Sequence, residues 1–222
     1  MSILVRNQKD RMKRFNSPCI LSCLSAHRRA TYCVLPAGLA RGHRGNPAAS
    51  VRVERLYGIP VLLSGLDCLV LSTQEVGVLA GHLKQHIQQL LKLHRATPES
   101  VVWFLAGCLP FEALLHLRMF SIFEMLARLN GGDNILANYA RDALASAKPS
   151  SKSWFLEFQR ISLRYEISPP PPITFLQNPP SKTSFKEIVQ SAVFDFWEKK
   201  HRGQALSLKY FNPDFMSLTI NH

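Results

Sequence analysis

The chain has 222 residues, 46% of them hydrophobic, so it can bury a sizeable core and is too apolar for wholesale disorder. Its net charge is +12, and the stretch up to Arg55 holds eleven basic residues against Asp10 and Glu54 alone. Such a block either attracts phosphate with a salt-dependent affinity or is a solvated tail. Five unevenly spaced cysteines argue against a disulfide framework and make a reducing compartment, cytoplasm or nucleus, the expectation.

Residues 1–47 show no sustained hydrophobic period and read as a basic, largely irregular and flexible segment. The run "CILSCLSA", broken by serines behind a long charged lead, fits a secretory signal poorly. A mitochondrial presequence is the minor reading of this acid-poor start. Cys19, Cys23, His27 and Cys33 are spaced too loosely for a zinc knuckle and read as local hydrophobic cysteines. "GLARGHRGNPAA" has the glycines, asparagine and proline of a loop, and "PVLLSGLDCLVL" could be a short buried strand or a helix.

Helix signals then become dense. Ser72 and Glu75 have the spacing of a capping box ahead of Val76, Leu79, Leu83, Ile87, Leu90 and Leu91 on one face. His82, Lys84, Gln85, Gln88, Gln89 and Lys92 take the opposite face. His82 and His86 lie one turn apart, as metal-binding pairs do. "HLKQH" lacks a glutamate and no third ligand is evident, so the pair reads as solvated surface and no metal or other cofactor is expected. Thr97 and Pro98 suit the cap and first position of the next helix.

The run "VVWFLAGCLPFEALLHLRMF", Val101–Phe120, is long enough to cross a bilayer. Pro110 interrupts it, however, and Glu112, His116, Glu124 and Arg128 form a polar stripe opposite Leu115, Met119, Ile122, Leu126 and Leu129. The reading is two helices joined at Leu109–Pro110, with no membrane span. Gly131–Gly132 should end the second and Asp133 cap its successor. Trp154, Phe155, Phe158, Ile161 and Tyr165 share a helical face. "SPPPPITFLQNPPS" reads as a stiff spacer of polyproline character. Ser184 and Glu187 suggest another capping box before Phe185, Ile188, Val189, Ala192, Val193, Phe196 and Trp197. That helix should carry Lys199, Lys200 and Arg202 in its last turn and stop at Gly203.

The fold class predicted is mainly α, a bundle of about six to seven amphipathic helices. Its parts are an N-terminal segment (1–47), a helical region (48–167), a Pro-rich linker (168–183) and a C-terminal helix with tail (184–222). No Gly-rich phosphate loop, GxSxG elbow, cysteine–histidine pairing or acidic cluster for two-metal chemistry is visible, so these residues suggest no enzyme.

"TPESVVWFLAGCLPFEALLHLRMFSIFEMLARL" (Thr97–Leu129), "AKPSSKSWF" (Ala147–Phe155) and "YFNPDFMSLT" (Tyr210–Thr219) resemble the region downstream of the polymerase core in LINE-type, non-LTR retrotransposon reverse transcriptases. "VERLYGIPVLLSGL" looks like the end of that polymerase's thumb, with Ser64 where the family carries a tyrosine. The likeness runs from about Arg29 to the C-terminus. The family's catalytic aspartates and endonuclease lie outside the matched region, and its Cys- and His-containing tail continues beyond it, so no catalytic residue is carried over. The resemblance implies a non-catalytic piece, thumb plus the helices after it, of an RNA-directed DNA polymerase. A thumb grips a duplex by its backbone, which makes Arg41, Arg44, Arg52 and Arg55 the candidate contacts to RNA or DNA. Two other readings compete with it: a helical protein-interaction module using exposed apolar faces, and a retrotransposon remnant without selected function.

Overall fold

The computed structural model describes residues 18–34, 46–128, 138, 142, 153–167 and 181–206. Among these there are helices and turns and no strand, a mainly α bundle as expected. The first difference comes early. Pro18–Val34 is a 17-residue helix, α1, inside the segment read as irregular. Its buried residues Ile20, Cys23, Leu24 and His27 fall at helical spacing. The interleaved serines and the basic context hid that period, because only a narrow stripe of the helix is apolar.

Asn46 caps α2 (Pro47–Val53), its side chain accepting from the Ala48 N–H at 2.9 Å, with Pro47 in the first turn. The chain then widens into a π-helical turn, Glu54–Gly58, and continues as α3, Ile59–Leu63. The backbone stays in the right-handed helical region throughout this passage. Pro60 supplies the reason: it has no N–H, and its ring crowds the carbonyl four residues back. An i→i+5 turn just ahead of it, with Ile59 N–H donating to the Glu54 carbonyl, opens the helix to accommodate it. "PVLLSGLDCLVL" thus begins as helix and turns at Gly65 (φ 78°), with no strand.

The Ser72–Glu75 capping box forms and opens α4, Thr73–Leu90, which buries Leu79, Leu83 and Ile87 as expected. Gln88, assigned to the wet face, is also buried, and its amide points at the carbonyls of His94, Arg95 and Thr97. α5 runs Glu99–Ala106 with Pro98 rather than Thr97 at the cap, and α6 runs Phe111–Arg128. The two are bent by 59°, and among the described residues no single helix is long and apolar enough to cross a membrane. The stripe read as wet is partly inside: His116 and Glu124 are buried, while Phe120 and Phe123 join Leu115 and Met119 in the core. A helix with neighbours on several sides has no fully wet face, and α6 packs against α4, α7 (Trp154–Arg164) and α8 (Lys182–Leu206).

α8 starts before the expected cap. Ser181 Oγ accepts from the Ser184 N–H at 3.2 Å, and the helix runs through Gly203 to Leu206. A glycine inside a helix costs about 1 kcal/mol and does not by itself stop one. Gly131, Gly132, Asp133, linker residues 168–180 and Tyr210–Thr219 lie outside the described residues.

Aromatic packing holds the centre together. Phe123 stacks on Phe158 at 4.1 Å between centroids, and Trp154 stacks on Phe158 at 5.7 Å. The Trp154 indole N–H reaches the Asp67 carbonyl at 2.8 Å, tying α7 to the turn after α3. Trp197 donates to the buried Tyr165 hydroxyl at 3.0 Å, and that hydroxyl meets His116 Nδ1 at 2.7 Å. The network joins α6, α7 and α8 in one contact.

Candidate functional site

α1, the π-turn and α4 converge on the Glu54 carboxylate. His27 Nε2 lies 2.6 Å from Oε1 and His86 Nε2 3.0 Å from Oε2. His27 Nδ1 in turn faces His82 Nε2 at 3.1 Å. The Glu54 and His27 side chains are 4% and 1% exposed, and that of His86 is 12% exposed at the cluster's edge. Both rings flanking His27 meet it edge-on, at 5.1 and 5.3 Å.

Each element is suited to its part. His82 and His86, four apart on α4, point the same way. The π-turn rotates Glu54 inward, and Gly58 leaves room for it: a Cβ there would lie 2.3 Å from the Glu54 carboxylate oxygens. Burial works to raise the Glu54 pKa, but hydrogen bonds from His27 and His86, with their charge, hold it down at about 2. Burial, then the charges of His27, Arg28 and His86, push His82 down to about 3. The centre is therefore a carboxylate with two imidazole N–H donors and a neutral imidazole behind one of them.

Beside it opens a cavity of about 220 Å³, walled by His27, His82, His86, Thr31 and Arg28 among others. The Thr31 hydroxyl is buried and has no hydrogen-bond partner among the described residues. Of ligand-bearing side chains, His27, Glu54 and His86 form the one described group whose donor atoms could converge on a metal ion, all within 4.8 Å of one another.

This corrects two sequence-based expectations. The His82–His86 pair is not solvated surface, because α1 and the π-turn cover it. The third ligand-type residue, Glu54, comes from another helix. Cys19 and Cys23 do not join His27 in a ligand set: the Cys23 thiol donates to the Ser64 carbonyl at 3.4 Å, on the side of α3. A signal for the cluster did exist, since Glu54 is one of two acids among the first 55 residues and a two-histidine face on α4 wanted a partner. Nothing local told which helix would supply it.

The same turn faces outward as well. Arg52 and Arg55 are exposed, and Leu56 and Tyr57 stand 60% and 62% exposed beside them. Arg41 and Arg44 lie outside the described residues. The fold and site thus define a helical protein in which the π-helical turn carries a buried carboxylate inward and exposed aromatic and basic residues outward. The chain matches no family model, no curated protein and no solved structure.

Proposed function

We propose that the chain is a non-catalytic helical module, related to the thumb and following region of LINE-type reverse transcriptases, that holds nucleic acid by its backbone without reading sequence. The observation that carries this reading is the outward face formed by the last turn of α2 and the π-turn. Arg52 and Arg55 stand one turn apart and exposed, and exposed Tyr57 beside them offers a ring for stacking. Guanidinium groups free to reach phosphate give positioning contacts, and an aromatic ring tolerates any base. The +9 balance of the first quarter adds long-range attraction.

Fluorescence anisotropy of labelled duplex DNA and RNA–DNA hybrid over a salt series tests it. The double substitution R52A/R55A should weaken binding equally across sequences and reduce the slope of log K against log salt by about 2. An unchanged slope, or no binding by the full chain at low salt, overturns the reading.

A second reading, an interaction module for protein partners, has its own observation. A groove of about 570 Å³ between α3, α6 and α8 is floored by Ile59, Leu63, Leu114 and Phe120 and edged by Lys182 and Lys186. Apolar docking there would survive roughly half-molar salt, where a phosphate-dependent complex dissociates.

A further inference from the structure

Three helical segments distant in sequence bring two imidazole nitrogens and a carboxylate within 4.8 Å of one another, in a buried setting. We infer that His27 Nε2, Glu54 and His86 Nε2 form a binding site for a divalent ion of the zinc type, with His82 holding the His27 ring and a fourth coordination position facing the cavity that Thr31 lines. The inference is independent of the nucleic-acid reading and stands on different residues.

The donor set argues for the ion's class. Two nitrogens and one oxygen suit zinc or cobalt(II), whereas magnesium and calcium want oxygen ligands throughout. Ligating histidines characteristically donate their other ring N–H to an acceptor, which fixes the tautomer and turns the lone pair to the metal. His82 Nε2 stands in that position, 3.1 Å from His27 Nδ1.

Dimensions are compatible after a small adjustment. Tetrahedral zinc with bonds of about 2.0–2.1 Å holds its ligand atoms about 3.3 Å apart. The contacts here, 2.6 Å to Oε1 and 3.0 Å to Oε2, are joined by protons that an ion would replace. The three donor atoms, one from each residue and all within 4.8 Å of one another, must settle to that spacing around it. The displaced protons move to Nδ1 or to solvent, so uptake weakens as pH falls. With three protein ligands, the fourth position belongs to water or an anion. Arg28 on the cavity wall favours an anionic one.

The test uses the full chain, stripped with a chelator and titrated with cobalt(II), then with zinc in competition with a chromophoric chelator. One equivalent should bind, giving visible cobalt bands of four-coordinate intensity and no thiolate-to-cobalt charge transfer. His86→Gln, at the cluster's edge, should abolish the bands. His82→Gln should keep their shape while weakening affinity about ten- to a hundredfold, the mark of a positioning residue. His94→Gln, exposed on the loop after α4, should change nothing. Absence of saturable binding, a thiolate band in the unsubstituted chain, or binding indifferent to His86→Gln each overturns the site.

Discussion

Three of the helices end alike, and at the residue scale two of them pay for it. After α4, α5 and α7 the backbone swings left-handed at Lys92 (φ 56°), Gly107 (φ 57°) and Glu166 (φ 53°). In each case the next residue's N–H reaches back five positions: Leu93 to Gln88, Cys108 to Trp103, Ile167 to Ser162, at 2.8, 3.3 and 3.1 Å. This is the Schellman arrangement, which favours glycine because a Cβ clashes in that region. Gly107 meets the demand; Lys92 and Glu166 are held there against their preference. Lys92→Gly and Glu166→Gly should each stabilise the chain by about 0.5–1 kcal/mol, less than the full left-handed penalty because glycine also loosens the unfolded state. Urea denaturation midpoints check this, and a loss of stability in both would show that these ends are not strained. Of the three ends only Gly107 is marked by residue type, since lysine and glutamate carry no signal for a left-handed turn.

At the scale of elements, the passage from α2 through the π-turn to α3 decides the site. Without the extra residue per turn, Glu54 and Gly58 would not sit as they do, with Glu54 buried and Arg55, Leu56 and Tyr57 outside. Gly58→Ala places a methyl carbon where the carboxylate now lies, and Glu54 cannot swing away without leaving His27 and His86. Losing those charge-assisted bonds should destabilise the chain by about 2–3 kcal/mol, measured by chemical denaturation. A neutral outcome would mean that the turn does not pin Glu54. Helix starts with a side-chain cap were the more readable elements: Ser72 and Glu75 cap as their spacing predicts, because both partners lie within four residues. α8 starts three residues ahead of the expected Ser184 cap, because Ser181 offers an equivalent cap and accepts from the Ser184 N–H.

For the whole molecule, pH dependence follows from what is buried. Burial lowers His116 to about 4, with the nearby Glu112 charge raising it and the Arg164 charge lowering it, and His82 is held at about 3. An unfolded chain takes up these protons near pH 6.5 and the folded one does not, so the unfolded state gains as the medium is acidified. The stability from both histidines is complete above about 6.5 and is lost as pH falls through that value toward 4 and 3, at ~1.4 kcal/mol per pH unit for each. Glu54, held near 2, adds loss of the same sign only below about 4.5. Urea midpoints taken from pH 7 to pH 5 should therefore fall steadily, and His116→Gln should make the slope shallower. A flat profile across that interval would mean the two rings are charged inside the fold.

Periodicity, caps and prolines are local, and they were enough to determine a helical chain, the break at Leu109–Pro110, and the buried faces of α4 and α7. The tertiary structure decided the rest: which polar groups on those helices face inward, that α1 exists as a packed helix, and that His27, Glu54, His82 and His86 meet. The division has a physical cause. A helix's own hydrogen bonds close within five residues, whereas a buried carboxylate is stabilised by whichever donors the packing of distant helices delivers to it.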